Sequence, residues 1–324
     1  MAGQIRRLPG TGDWPADLSG AVVAIGNFDG VHRGHQEVLE EARRIAEQLA
    51  APLVCLTFEP HPRTFFAPER PVPRLTLAPM KARLLGALGF DAVIEQRFDR
   101  DFSAMSAEAF IDTILVTSIK ARHVVVGFDF QFGAGRRGTP AFLKEGNWPF
   151  GVTLVEAFGD EGGTIVSSSR IRDALHEGNL AEANALLGYR WTIAGPISDG
   201  QKLGRTLGFP TANLVLPDDH LLKLGIYAVR LRRADGTLHE GVASYGRRPT
   251  FDNGAALFET YLFDFSGDLY GETVEVSLFA YQREEWRFES VDALVVQMHK
   301  DADEARALLA GVTPLSPLDA RIAF

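Results

Sequence analysis

Cysteine is almost missing: Cys55 is the only one in 324 residues. No intrachain disulfide can form, so a disulfide scaffold is excluded, and a reducing compartment, the cytoplasm, is expected. Cys55 sits inside the apolar run Leu53-Val54-Cys55-Leu56 and reads as an inert core residue. No apolar run approaches the ~20 residues of a membrane span. Met1 to Ser19 carry Arg6 and Arg7 but no apolar stretch, so a secretory leader is not expected. Positive charge is also short, with a formal net charge of −9. That argues against a nucleic-acid partner, which selects for a basic face. It leaves room for a small phosphate ligand, which needs only local positive charge. Repeats and low-complexity tracts are lacking. A hydrophobic fraction of 46% with 23% charged residues suits a globular chain, and the length favours two domains.

The stretch that organises the rest is Gly26-Asn27-Phe28-Asp29-Gly30-Val31-His32-Arg33-Gly34-His35. It follows Ala21-Val22-Val23-Ala24-Ile25, which reads as a buried strand. After it Val38, Leu39, Ala42, Ile45, Ala46 and Leu49 recur at helical spacing. The motif is therefore a strand-to-helix turn, its glycines letting the backbone bend and a ligand approach closely. His32 and His35 stand at the helix mouth, where unpaired N–H groups and the dipole favour an anion. Two imidazoles there can hydrogen-bond oxygens that gain charge when a phosphorus is attacked. The HxGH string resembles the signature of nucleotidyltransferases. In its longer form, through Gln36, it is similar to the FAD synthetase module of bacterial riboflavin kinase/FAD synthetases.

Further strands are expected at Pro52–Phe58, Ala92–Phe98, His123–Phe130 and Gly151–Phe158. A helix is expected from Ala107 to Ile119 with Ser106 as N-cap. Alternation of strands and helices implies a parallel, doubly wound sheet, whose ligand sits beyond the carboxyl ends of the strands. Thr57-Phe58-Glu59-Pro60-His61-Pro62 would face that cleft, held extended by its prolines. In FAD synthetases a matching segment borders the flavin end of the site. Residues 63–80 show no period and read as a long loop. Phe65 and Phe66 either cover a flat aromatic ligand or tuck into the domain. Gly127 to Thr139 combines a strand end, Asp129, three glycines after Phe132 and two arginines, which suits a nucleotide loop. It resembles the family's Gly-x-Asn/Asp-Phe-x-Phe-Gly stretch. Ser167, Ser168 and Ser169 open a helix and either cap it or bind phosphate, with Arg172 one turn on. This segment is similar to the family's Ser-Ser-Thr/Ser-x-Ile-Arg motif.

From Trp191 the pattern changes to period-two alternation. Six short strands are expected: Trp191–Ser198, Ala212–Leu216, Ile226–Arg232, Leu238–Ser244, Phe258–Phe265 and Val274–Tyr281. Hairpin turns fall at Ala234-Asp235-Gly236 and Ser266-Gly267-Asp268. With a final helix from about Val291 to Leu309 they imply a small antiparallel barrel. Thr211 and Asn213 offer two oxygens on one face of an extended segment, a pair that suits Mg²⁺ carrying ATP phosphates. Gly200, Gly204 and Gly208 make the preceding loop either a phosphate cradle or a plain turn. The string Gly208-Phe209-Pro210-Thr211-Ala212-Asn213 resembles the signature of riboflavin kinases. Gly246 to Phe251 and Phe258 to Leu262 resemble the kinase's Gly-x-x-Pro-Thr-Phe turn and the strand bearing its catalytic Glu. On alternation, Glu259 shares the more apolar face with Tyr261, Phe263 and Phe265. One departure is Pro196-Ile197-Ser198-Asp199-Gly200, where many family members have a His near the start of the flap.

The resemblance runs from about Gly20 to Leu309. It implies a Rossmann-like α/β FMN adenylyltransferase domain at 1–187 and a six-stranded riboflavin kinase barrel at 188–324. It implies phosphorylation of riboflavin to FMN by ATP, then adenylylation of FMN to FAD with release of pyrophosphate, both with Mg²⁺. His32, His35, Arg172 and Glu259 would be catalytic. Gly26, Phe28, Gly34, Asp129, Ser167, Ser168, Ser169, Gly204, Thr211 and Asn213 would bind ATP or its phosphates, and Thr211 and Asn213 the metal. Phe58, His61 and Pro62 would bind flavin. Expected partners are these small molecules, with no nucleic acid or membrane, in a monomer or weak homo-oligomer. The alternatives are another HxGH nucleotidyltransferase with an unrelated barrel, or a non-catalytic flavin-binding or regulatory protein. Residue chemistry alone reaches ATP-dependent transfer to an acceptor.

Overall fold

The computed structural model describes residues 5–198, 209, 211–214, 216, 221–247 and 256–324. Two compact units, 1–168 and 169–324, make up the chain.

In the first unit six strands form one parallel sheet: β1 (Arg6–Leu8), β2 (Val22–Ile25), β3 (Leu53–Glu59), β4 (Ala92–Arg97), β5 (His123–Gly127) and β6 (Gly151–Val155). Their order, β1-β4-β3-β2-β5-β6, puts β2 where the winding reverses. Val22–Ile25 is buried throughout because helices cover both faces of the sheet. The helix α1 (Arg33–Leu49) packs on β2 and β5 through Val38, Leu39, Ala42, Ile45 and Ala46. Val23, Ile25, Val54, Leu56, Val124 and Val126 meet Phe110, Ile111, Ile114 and Leu115 on the other side. Between β3 and the 107–118 segment lie α2 (Pro62–Phe66), α3 (Ala78–Ala87) and α4 (Arg100–Ser103). The expected doubly wound sheet is present. Cys55 is fully buried, and burial pushes its thiol up to about 12, so it is inert as read.

Several local readings need correction. Strand β1 escaped notice because three residues show no period; it holds the sheet edge beside β4, with Arg7 forked onto Glu95 at 2.7 and 3.0 Å. Pro62 does not extend the chain. It is the first residue of α2, where its missing N–H costs nothing, and the His61 ring Nδ1 accepts the Arg63 N–H at 3.1 Å. The 63–80 stretch therefore contains most of α2 and the start of α3, not loop alone. Strand β5 ends at Gly127, where the Phe130 N–H turns back to the Gly127 carbonyl, so Asp129 lies in a turn. The 107–119 helix starts as α5 (Ala107–Phe110), capped by Ser106 as expected, then widens to π-type geometry over Ile111–Ser118. Beyond β5 comes α6 (Pro140–Glu145). Strand β6 stops at Val155, before the hairpin-like loop that carries Asp160.

The second unit opens with α7 (Ser168–Glu177), whose first residue belongs to the first unit, and α8 (Leu180–Leu187). Gly188 ends α8 in the left-handed conformation, as its position predicts. Six antiparallel strands then close a barrel in the order β10-β11-β8-β7-β12-β9. They are β7 (Thr192–Ser198), β8 (Thr211–Leu214), β9 (Gly225–Arg232), β10 (Leu238–Arg247), β11 (Ala256–Leu262) and β12 (Thr273–Arg283). Phe258, Thr260, Leu262, Tyr227, Val229, Leu231, Val274, Val276 and Leu278 are buried at alternate strand positions and fill the interior. The helix Val291–Ala310 covers the outside with Ala302, Ala305 and Leu309 against Ala228 and Phe263. A last helix, Pro317–Ile322, gave no clear period in the sequence; Asp319, fully buried, accepts the Arg190 N–H at 2.7 Å and ties it to the start of the barrel.

The Asn184 side chain of α8 completes the barrel. It donates to the Leu278 carbonyl at 3.0 Å and accepts the Trp191 N–H at 2.8 Å, all buried. A fragment starting at residue 188 loses both of these hydrogen bonds, each worth about 0.5–1.5 kcal/mol, together with the packing of α8 on β12. It should melt several degrees below a fragment starting at 169. Equal melting temperatures by circular dichroism would contradict this.

Candidate functional sites

The first site forms at the carboxyl end of β2. The Gly26 N–H pairs with the Leu56 carbonyl at 3.1 Å, still in the sheet; from there the chain turns sharply. Phe28 and Val31 take φ of 45° and 41°, a left-handed conformation costly for residues with a Cβ. Phe28 folds back so tightly that a Cβ on Gly26 would meet its ring at 3.0 Å, which is why glycine stands there. His32 then caps α1: its Nδ1 accepts the His35 N–H at 3.2 Å. An accepting Nδ1 carries no proton, so a neutral ring at this cap carries its proton on Nε2. The His35 ring stacks on His32 with centroids 3.6 Å apart, and the Phe28 edge closes on His35 at 5.3 Å. A Cβ on Gly34 would meet the His32 ring at 3.3 Å, so the second glycine is what lets the two imidazoles lie together. Arg33 points to the 158–166 loop, forked onto Glu161 at 2.6 and 3.1 Å.

Asp29, within the same string, is the feature sequence reasoning passed over. Its carboxylate is 2% exposed and accepts the Leu75 N–H at 3.1 Å and the Thr76 N–H at 3.1 Å. Thr76 Oγ1 in turn accepts the Gly30 N–H at 3.0 Å. Arg74 forks onto Glu59 at 2.8 and 2.9 Å and reaches Asp29 at 3.5 Å. Buried Lys81 donates to Thr57 Oγ1 at 3.0 Å and to Glu59 at 3.2 Å, and Thr57 Oγ1 donates to the Asn27 carbonyl at 3.1 Å. Two carboxylates and two cations thus balance in the interior. The only sequence signal was a lone lysine on a helix whose neighbours Ala82, Leu84 and Leu85 are all core residues.

The other expected residues of this unit fall as follows. Register places Val126 beside Ile25 on the neighbouring strand, and Asp129 lies three residues on, in an exposed turn. Ser168 Oγ donates to the Asp29 carbonyl at 2.9 Å, so this hydroxyl fastens the His32 turn; Ser167 precedes it, half-buried. Ser169 and Arg172 lie in the first turns of α7, within the second unit. His61 is buried as the cap of α2, with Pro62 after it. Phe58 is a core residue packed on Phe98 and Phe102; the exposed ring of this segment is Phe66, 67% accessible.

The second site lies on the barrel's outer face. Antiparallel register sets Asn213 opposite Glu259 and Thr211 opposite Tyr261. Thr211 Oγ1 donates to Glu259 Oε1 at 3.4 Å. Strand alternation does place Glu259 on the face of Tyr261, away from Thr260, and that face is the outer one. Phe258, Thr260 and Leu262 face the interior, and Glu259 looks outward. The strand also ends at Leu262, with Asp264 turning the chain at φ 53°. The outward face is nevertheless apolar because the helix Val291–Ala310 covers it: Phe209 packs on Tyr261 at 4.7 Å and on His299 at 4.9 Å. Among the described residues no cluster of three or more His, Cys, Asp or Glu could hold a metal ion. Asn213 Oδ1, however, is buried with no hydrogen-bond partner among the described residues, on the same face as the Thr211 hydroxyl. Two neutral oxygens beside a carboxylate fit a hard cation that takes its remaining ligands from phosphate and water. Gly200, Gly204, Gly208, Pro210 and the Pro249-Thr250-Phe251 turn lie outside the described residues.

An HxGH turn at the switch point of a parallel sheet, followed by a small barrel with a Thr–Asn–Glu face, defines a chain of two phosphate-handling domains. Residues 15–170 match the FAD synthetase family and residues 187–309 the riboflavin kinase family. The chain is 41% identical over 307 residues to the bifunctional riboflavin kinase/FMN adenylyltransferase of Listeria monocytogenes, covering 93% of this chain and 95% of that one. It is 40% identical over 293 residues to that of Escherichia coli, covering 90% and 93%. A solved structure described as a macrolide-efflux protein from Streptococcus pneumoniae is similar with a TM-score of 0.81 and 33% identity, over 94% of this chain and 99% of that one. No helix among the described residues here is long and apolar enough to cross a membrane. The chain belongs to the bifunctional riboflavin kinase/FMN adenylyltransferase family.

The charge network carries a pH signature. Burial alone would raise the Glu59 carboxyl, but hydrogen bonds from Arg74 and the charges of Lys81 and Arg74 outweigh it and hold Glu59 below the usual carboxylate range. A depressed folded value contributes stability that is complete above the unfolded value near ~4.3 and is lost as pH falls through the folded one. Glu59→Gln should therefore lower the melting temperature at pH 7, with the gap to wild type closing below about pH 4. A gap that stays constant from pH 7 to pH 3 would contradict this.

Proposed function

We propose that this chain makes both FMN and FAD: it phosphorylates riboflavin with ATP, then transfers AMP from a second ATP to FMN, releasing pyrophosphate. The carrying observation is that His32 and His35 stack at the mouth of α1 in the same chain whose barrel sets Asn213 opposite Glu259. We place adenylylation in residues 1–187 and phosphorylation in 188–324, in a cytoplasmic enzyme.

In adenylylation the FMN phosphate oxygen attacks the α-phosphorus of ATP, and the bond to pyrophosphate breaks. The protein need supply no nucleophile. His32, its Nδ1 engaged by the cap, presents Nε2–H to oxygens that gain charge, and His35 lies against it. The α1 N-terminus adds its dipole. Gly26, Phe28 and Gly34 shape this turn, Asp129 serves the nucleotide, and Ser167 binds its phosphates. The flavin end is the segment from Phe58 to Pro62, with Phe66 its exposed ring.

In phosphorylation Glu259 takes the proton of the ribityl 5′-hydroxyl as that oxygen attacks the γ-phosphorus and ADP leaves. Thr211 and Asn213 would hold Mg²⁺, with Gly204 beside the phosphates. Bound there, the cation would offset charge on the phosphates of ATP. The burial of Asn213 Oδ1 without a protein partner supports this assignment.

Incubating the enzyme with riboflavin, ATP and Mg²⁺ and separating the flavins should give FMN, then FAD; neither product would overturn the reading. His32→Ala or His35→Ala should lower FAD formation roughly 10²–10³-fold, the scale of one lost oxyanion donor, with phosphorylation retained. Equal loss of both activities would contradict a separate adenylylation site. Glu259→Gln should lower the kinase kcat about 10²–10⁴-fold, while FAD formation from supplied FMN continues. A Gln variant phosphorylating riboflavin at the wild-type rate would remove Glu259 as the base.

A further inference from the structure

We infer that Arg74 and Thr76 are positioning residues for adenylylation: a strap that holds the His32 turn in its working shape and ties it to the acceptor end of the site. This rests on the placement of adenylylation at His32 and His35 above.

The turn does not hold itself. Phe28, Gly30 and Val31 have φ of 45°, 86° and 41°, so three positions in four residues are left-handed. Such a run persists only where its surroundings over-determine it. The surroundings here are the strap. Leu75 and Thr76 give backbone N–H groups to Asp29, and Thr76 Oγ1 takes the Gly30 N–H. Gly30 is two residues before His32, so the hydroxyl fixes the backbone immediately ahead of the imidazole.

Arg74 carries the second half of the inference. Its guanidinium lies between Asp29, in the His32 turn, and Glu59, which ends β3 and directly precedes Pro60-His61-Pro62. Lys81 closes the circuit from Glu59 through Thr57 to the Asn27 carbonyl. Asp29, Arg74 and Lys81 are all largely withdrawn from water, and Glu59 is partly so. Charges enclosed in this way tolerate few arrangements, since breaking one pair strands the other partner. The phosphate end and the acceptor end are thus joined by one set of charge-assisted bonds, across a reaction whose rate depends on aligning the attacking oxygen with the α-phosphorus. Neither Arg74 nor Thr76 is assigned contact with substrate.

The test uses the full chain at 25 °C, with the melting temperature of each variant measured first. Wild-type enzyme given FMN and ATP must form FAD; if it does not, the assignment of adenylylation fails before the strap is tested. Thr76→Val keeps the shape and removes the hydroxyl. It should lower kcat for FAD formation about ten- to a hundredfold with KM for FMN within about twofold, and leave riboflavin phosphorylation unchanged. Thr76→Ser should restore kcat to within about threefold. Arg74→Lys keeps the charge but not the fork, and should lower kcat about tenfold even if Thr76→Val fails to fold. A merely structural strap would lower the melting temperature and leave kcat of the folded enzyme unchanged. That result in Thr76→Val, or in Arg74→Lys, or a Ser variant no better than Val, would overturn the inference.

Discussion

A carboxylate withdrawn from water must find its donors inside the protein, and Asp29 finds them on one strap of chain. The spacing in sequence is wide, Leu75 standing 46 positions after Asp29. Everything at the first site follows from this closure. The strap settles the left-handed turn, the turn delivers His32 to the N-cap of α1, and the cap made by His32 fixes which ring nitrogen of a neutral imidazole carries the proton. Charge balance extends the constraint outward, because Asp29 and Glu59 share Arg74, and Glu59 also holds buried Lys81. Such a network adds little net stability compared with an apolar core, but it narrows the arrangements open to the turn.

The barrel solves a related problem with different means. Its ladder pairs Asn213 with Glu259, so an amide oxygen and a carboxylate are brought side by side by register, without strained backbone at either residue. The outward face would be wet in a bare barrel; the helix Val291–Ala310 and the Phe209–Tyr261 contact make it partly apolar. The two proposed reactions differ in what they ask of the protein. Attack by a phosphate that is already ionised needs only alignment and charge stabilisation, whereas attack by an alcohol needs a base. Imidazoles at a helix mouth and a carboxylate beside metal-binding oxygens match that difference.

Much of the frame was legible in the sequence because local signals agreed with the fold. The strand before Gly26, the helix after His35, the Ser106 cap, the Gly188 stop and the six barrel strands were all written in runs of neighbouring residues. What was not legible depended on distant contacts or on short signals. Three residues of β1 carry no period. Pro62 suits both an extended chain and the first turn of a helix, and only the His61 cap decides. Phe58 reads as a ligand contact from its motif, and its packing on Phe98 and Phe102, some forty residues away in sequence, leaves no local signal. Asp29 lies in the most conspicuous string of the chain, but its function in the fold is set by Leu75 and Thr76. Alternation put Glu259 with Tyr261 and against Thr260; which of those faces is the interior depends on barrel closure and on a helix far along the chain.

The most direct measurement follows the phosphorus atoms. The full chain would be given riboflavin, Mg²⁺ and ATP labelled at either the γ- or the α-phosphorus, and the flavins separated. With γ-label, FMN should carry the label and FAD should retain it; with α-label, FMN should be unlabelled and FAD labelled. FMN without γ-label, or FAD without α-label, would contradict two successive transfers by this one chain.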